Sequence, residues 1–321
     1  MAYTATNSNF TGSTGLSPAM QTFYNRTLLR TFEPELVHLQ FGEVYPMPKN
    51  SGRLMNMRKL VPLETDTTEL AEGNPGDGVL MSEVQQVVQL KQYGRYGNFS
   101  DLFDLANLDV NLSRKVEAFA NQGARSIDAV VREELASCTN VIYAGGKTSR
   151  AALTSSDKLT SVELRKAVKM LKKANAQRFN GYYVAIVGPD VVYDLQDDDA
   201  FVKVSQYQDK ENIYTGEVGR LFGVRLVETT EAKVFAGSGA AIGSSSTDKY
   251  DVASVIVLGK YAYGITSWKG ARPRVIVKPS GSAGAADPLD QISSVGWKMD
   301  GFGVKLLQPE FAVRIECGMT A

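Results

Sequence analysis

The longest periodic stretch of the sequence, residues 111–136 (NLSRKVEAFANQGARSIDAVVREELA), constrains the fold most. Leu112, Val116, Phe119, Ala120, Gly123, Ile127, Val130, Val131 and Leu135 recur at the 3.6-residue period, which predicts one helix with a continuous apolar stripe. At 1.5 Å per residue such a helix is roughly 38 Å long, the span of a small domain. A stripe of that length must be covered along its whole extent by other elements.

Residues 53–61 (RLMNMRKLV) and 84–96 (VQQVVQLKQYGRY) have the β-branched, aromatic and partly alternating character of strands. A turn-rich stretch with Gly73-Asn74-Pro75-Gly76 and Asp77-Gly78 separates them, so the pair is expected to form an extended β-arm. From Leu60 to Leu90 there are six acids (Glu64, Asp66, Glu69, Glu72, Asp77, Glu83) and no Lys or Arg. Such an arm tip is either a solvated loop or a segment that docks on a basic surface of another subunit. The basic candidates are Arg114, Lys115, Arg125 and Arg132 on the long helix, and the face of Arg165, Lys166, Lys169, Lys172 and Lys173 on a second helix. That second helix is predicted over 160–175, opened by the capping box Thr160-Ser-Val-Glu163.

Further strands are predicted at 182–188, 219–229, 254–266, 272–279 and within 295–316, with a short helix starting at Pro189 and a Gly/Ser-rich loop at 237–251. A short amphipathic helix is expected from Pro18, broken at Pro34. The first 20 residues are too polar to order by themselves and read as an arm that is either loose or ordered against a neighbour. Helices and strands interleave without a βαβ repeat, which gives an α+β fold.

The chemistry-bearing residues do not assemble into an active site. A single histidine, His38, removes multi-His metal sites and most Ser-His-Asp arrangements. Gly146-Lys147-Thr148 has Val141 where a phosphate-binding loop needs its first glycine, and Gly237-Ser-Gly239 has Ile242 where a dinucleotide fingerprint needs its third. Asp197-Asp198-Asp199 reads as a polar helix end in preference to a cation site, and Trp268 and Trp297 as anchors in preference to base-stacking platforms. No catalytic residue, cofactor or metal is therefore expected. Cys138 and Cys317 stand far apart and read as buried thiols of a reducing compartment. Lys plus Arg equals Asp plus Glu at 35 each, which argues against a dedicated nucleic-acid binder. No stretch approaches the ~18 apolar residues of a membrane span, and the N-terminus lacks a signal-peptide pattern.

The order of parts resembles the tailed-bacteriophage major capsid protein fold, and local sequence resembles the coat proteins typified by the N-four group of podoviruses. The residues that carry the likeness are PMPKNSGRLMNMRKLVPL (46–63), LAEGNPGDG (70–78), QYGRYGNFSD (92–101), GEVGRLFGVRLVET (216–229) and DPLDQISSVGWKMDGFGVKLLQPEFAVRIE (287–316). The resemblance implies an N-terminal arm over 1–44 and an extended β-loop over 45–98. It further implies a peripheral domain with a spine helix over 99–138 and 269–321, and an axial domain over 139–268. It also implies hexamers and pentamers that form an icosahedral shell around double-stranded DNA, in a virion assembled in the bacterial cytoplasm. The expected partners are further copies of the chain, a separate scaffolding protein (the stretch ahead of the β-loop being short), a portal protein and a possible decoration protein. The packaged DNA would face the inner wall without sequence recognition. Some phage coats lock neighbours by an isopeptide bond from a lysine of the extended loop, and residues 60–90 hold no lysine to form one. The alternative is an encapsulin-like nanocompartment shell with the same fold and an enzyme cargo.

Overall fold

The computed structural model describes residues 36–61, 63, 65, 67, 69, 78–102, 112–198, 220–242, 248–269, 272–282 and 287–319. The helix expected from Pro18 and the polar N-terminal arm lie outside the described residues, apart from a turn over 36–42.

Two sheets and the long helix make the body. The helix α1 runs Leu112–Ala136 and buries Val116, Ala120, Gly123, Ile127, Val131 and Leu135, the stripe that its periodicity predicts. The first sheet places β1 (Glu43–Met47), β11 (Tyr263–Trp268), β13 (Ile292–Leu306) and β12 (Arg274–Lys278) in that order, with β4 (Lys91–Ser100) also paired to β13. Trp297 and Met299 of β13, and then Phe302 and Leu306, all join the core around α1. Strict alternation would turn Phe302 to the opposite face of the sheet. A bulge between Met299 and Phe302 restores the register, and Gly301 supplies it with a φ of +69°. A Cβ at Gly301 would stand 2.3 Å from the Trp268 ring, so both backbone and space call for glycine there.

The second sheet runs β5 (Val141–Tyr143), β14 (Ala312–Gly318), β10 (Val252–Leu258), β6 (Tyr183–Val187), β8 (Val224–Glu228) and β7 (Arg220–Leu221), with β9 (Val234–Phe235) on β10. Every residue of β6 and β10 is buried, as expected of strands covered on both faces. Val184, Ile186, Ile256 and Leu258 point into the core shared with α1. Ala185, Val187, Val255 and Val257 point the other way, against α2 (Ser161–Lys173) and α3 (Pro189–Gln196). The described chain is thus α+β, with one sheet sandwiched between two helical layers.

One expected strand is corrected. Residues 254–266 are two strands of different sheets, since the chain leaves the second sheet at Leu258, turns through Tyr261 with a φ of +64°, and enters the first at Tyr263. Residues 295–316 divide likewise around Pro309, with β13 in the first sheet and β14 in the second. Within the stretch 45–98, β4 is hydrogen-bonded to β13 along most of its length. What remains is the ribbon of β2 (Leu54–Leu60) and β3 (Glu83–Gln89), paired antiparallel from Leu54↔Gln89 to Leu60↔Glu83.

Candidate assembly interface

An isolated two-stranded ribbon is marginal in water, so one face of β2–β3 is held by the body. Met57 and Val88 are buried against the first sheet, close to Gly264 and Gly303. Lys59 pairs with Glu310 at 3.1 Å at the outer end of the ribbon. Beyond that end the chain is rich in uncovered apolar groups: Val61, Leu63, Val79, Leu80 and Met81 are exposed, Leu80 at 94%. A monomer that leaves such groups in water is built to cover them on something else. Of the acids expected at the tip, Glu69 is exposed, while Glu64, Asp66 and Glu72 lie outside the described residues.

The basic residues expected to receive that tip divide by environment. Lys115 is buried, its ammonium 4.1 Å from the centre of the Phe99 ring. Arg125 places Nε 2.5 Å from Glu231, and Arg132 donates to the Glu231 carbonyl at 2.9 Å. Arg132 also reaches Glu133 at 3.1 Å, and Lys233 reaches the same carboxylate at 2.7 Å. Partial burial works against ionisation of Glu133, but hydrogen bonds from Lys233 and Arg132 outweigh it and hold the carboxyl below its ordinary range. Arg125 and Arg132 therefore tie α1 to the loop before β9 within the chain. Arg114 is exposed at the start of α1. The helix surface is not one continuous basic track.

A basic band does exist elsewhere, and periodicity could not find it because three separate segments build it. The ribbon covers only part of the first sheet's face opposite α1. On the open part, Arg274 lies across from Lys298, Ile276 across from Gly296, and Lys278 across from Ser294. Tyr96 lies on the other side of Gly296, 72% exposed. Tyr96, Ile276, Lys278, Ser294, Gly296 and Lys298 line a depression of about 560 Å³. A second, of about 610 Å³, lies beside it, since its Arg274 stands across from Lys298, and is also lined by Lys49, Arg53 and Arg272 at the root of the ribbon. Besides Arg95 of β4, six cations line the two depressions, where the described lining includes one acid, Asp300. Asp300 lies 3.0 Å from Arg274 and 3.0 Å from Lys298, offsetting the repulsion of that cross-strand pair.

The residues with chemical potential serve the fold. His38 is buried with Nδ1 2.5 Å from Asp128 Oδ2, and its backbone N–H donates to Asp128 Oδ1 at 2.8 Å. The Tyr263 hydroxyl donates to the His38 carbonyl, and burial pushes that hydroxyl well above its ordinary pKa. The three residues fasten the stretch before β1 to the middle of α1. Asp198 accepts the Ser161 N–H at 2.7 Å and so caps α2, while Asp199 lies outside the described residues. Thr160 and Glu163 bond side chain to side chain at the same helix start. Gly145, Gly146 and Gly237 turn the chain at positive φ. Trp297 donates to Gln122 at 2.5 Å and Trp268 to the Gly52 carbonyl at 3.3 Å, so both indoles anchor within the chain. No group of three or more potential metal ligands occurs among the described residues, and no described helix is long and apolar enough to cross a membrane.

The long helix laid between two sheets thus carries a ribbon with exposed apolar residues at its outer end and a charged face that the described chain leaves uncovered. The sequence matches the Phage capsid protein family over residues 83–315, and the chain belongs to that family. It is a capsid protein, a self-associating structural component of the virion. The fold is similar to the capsid of cyanophage Pam1 (12% identity, TM-score 0.67, 99% of this chain and 98% of that one). It is also similar to the capsid of cyanophage P-SCSP1u (16% identity, TM-score 0.65, 98% and 100%). A virus-like particle from Pyrococcus furiosus shares the fold at a TM-score of 0.53 (11% identity, 92% and 99%). No curated protein matches the sequence significantly.

Proposed function

We propose that this chain is the major capsid protein of a tailed phage and that it assembles as hexamers and pentamers into an icosahedral shell around double-stranded DNA. The observation that carries the reading is the family match over 83–315, which takes in α1 and most of both sheets. In this reading the first sheet with α1 is the peripheral part of the subunit, the second sheet is the axial part, and β2–β3 is the extended loop. A scaffolding protein sets the curvature during assembly in the bacterial cytoplasm, and a portal protein occupies one vertex. A decoration protein is a further possible partner. Equal numbers of acidic and basic residues suit a container filled by a motor and not by attraction of its wall for DNA. The nanocompartment alternative draws only on shared fold, and the family match favours the phage shell. Light scattering of the purified chain, with and without the scaffolding protein of the same phage, tests the proposal. Capsomers or shells are expected, and a monomer under every condition would overturn it.

A further inference from the structure

We infer that Arg220 and Arg225, both set over the ring of Tyr182, form a phosphate clamp that holds the backbone of the enclosed DNA against the α1 side of the second sheet. The clamp rests on the shell reading, since genome reaches it only inside a shell, and it names a surface which that reading leaves open.

Sequence and turn geometry fix the pair. In RLFGVR, residues 220–225, Phe222 and Gly223 take φ of 51° and 80°, the two-residue turn that joins antiparallel strands directly. That turn sets Arg220 straight across from Arg225. Leu221, Val224 and Leu226 enter the core beneath α2 and α3. Alternation therefore sends both arginines to the sheet's other face, the side on which Tyr182 and Val227 pack toward α1. Their guanidinium carbons lie 4.7 and 5.9 Å from the centre of the Tyr182 ring, and Arg225 donates to the Tyr182 hydroxyl at 3.4 Å. Stacking on one ring holds the two exposed forks together instead of letting them part.

Like charges directly opposed across a strand pair repel. Three other cation pairs enclose a carboxylate that offsets the repulsion. Glu316 lies between Arg150 and Arg314, Glu133 between Arg132 and Lys233, and Asp300 between Arg274 and Lys298. Among the described residues neither Arg220 nor Arg225 has an acidic partner. Two guanidiniums gathered on one ring without a carboxylate suit an anion from outside the chain. A phosphodiester fits, because its two free oxygens accept side by side from a planar fork. A protein partner would also bring apolar contact to the centre of its interface. Phe222, the apolar residue that the turn exposes, faces α2 instead, 5.4 Å from the Arg165 guanidinium, which leaves charge and a half-buried tyrosine on the clamp's own face. One such contact is weak. Repeated over the wall, it positions DNA without reading sequence and without a net basic chain.

A short duplex of mixed sequence, titrated with the full chain by fluorescence anisotropy over a series of salt concentrations, tests the clamp. The double variant Arg220→Gln with Arg225→Gln is expected to bind about tenfold or more weakly in low salt, and to lose about two from the salt slope per bound chain. Arg220→Lys with Arg225→Lys should recover part of that loss, since the charge stays while the fork goes. Lys169→Gln with Lys172→Gln, on the exposed face of α2, should bind as the wild type does. The clamp variants change exposed side chains, so they should melt and assemble normally. Should the glutamine pair melt lower, Arg220→Gln alone, which keeps one fork on Tyr182, should weaken binding in the same direction. Glutamine variants that bind the duplex like wild type would overturn the clamp while leaving the shell reading intact. So would an equal loss in the α2 variant, which would spread the binding over the whole surface. Displacement of the duplex by inorganic phosphate at equal phosphate concentration would reassign the clamp to the free ion, and displacement by polyglutamate to an acidic protein, and either result overturns the DNA contact. A wild-type chain that never oligomerises removes the shell reading, whatever the duplex shows.

Discussion

Asp128 is fully buried in the middle of α1 and accepts from both the backbone and the ring of His38. Replacing it with Ala leaves those groups buried without their acceptor, which costs about 2–5 kcal/mol. A urea titration of Asp128→Ala should show the midpoint falling with an unchanged m-value, since compactness is retained. Cys317 gives a pH dependence. Burial first, then the nearby carboxylates Asp194, Glu163 and Glu316, push its thiol up from 9.0 to about 12. A folded pKa above the unfolded one means that the unfolded chain loses its proton first as pH rises. The stability from the neutral buried thiol is therefore whole below about pH 9 and disappears as pH climbs toward 12. Cys317→Ala removes that titration, so its stability should decline less steeply than wild type over this window in parallel urea titrations. Equal slopes would show that the thiol does not contribute. The single histidine, the two separated cysteines and the incomplete glycine motifs were legible as structural residues from their number and spacing. The partner of His38 was not, because Asp128 is 90 positions away and nothing in a helical pattern marks which polar residue on it faces inward.

At the scale of elements, α1 was readable to within a residue, since 25 residues of one period leave no competing reading. The strands were readable as apolar runs, but their sheets were not. The run over 254–266 carries no sign of the turn at Tyr261, a residue type that rarely takes positive φ, so one run concealed the passage between sheets. The basic band was equally hidden, because Lys49 and Arg53 meet Arg272, Arg274, Lys278 and Lys298 only through the first sheet. Gly301→Ala tests the bulge that keeps β13 in register. It forces an alanine to positive φ with the Trp268 ring in its path, so a loss of more than about 1 kcal/mol is expected in thermal or urea unfolding. The ribbon tip should behave in the opposite manner. Leu80→Ser and Met81→Ser alter groups that are already in water, so the monomer should melt as wild type does, within about 0.5 kcal/mol. Assembly, however, should weaken. A lowered monomer melting temperature would mean that the tip packs on its own subunit.

For the whole molecule, a body that closes its own core while leaving Val61, Leu63, Glu69, Val79, Leu80 and Met81 and a basic face exposed is suited to many modest contacts repeated around a shell. Single exposed pairs contribute only ~0.2–1 kcal/mol, so cohesion of a shell needs many such contacts repeated. No lysine lies between residues 60 and 90, so boiled mature shells should run as one band near 34.9 kDa, without a ladder of covalent oligomers resistant to reductant. The most direct test of the central claim is electron microscopy of the purified chain after assembly with its scaffolding protein. Closed shells of hexamers and pentamers, with α1 lying between the two sheets of each subunit, are the predicted result. Uniform monomers on the grid across all salt and scaffold conditions would contradict it.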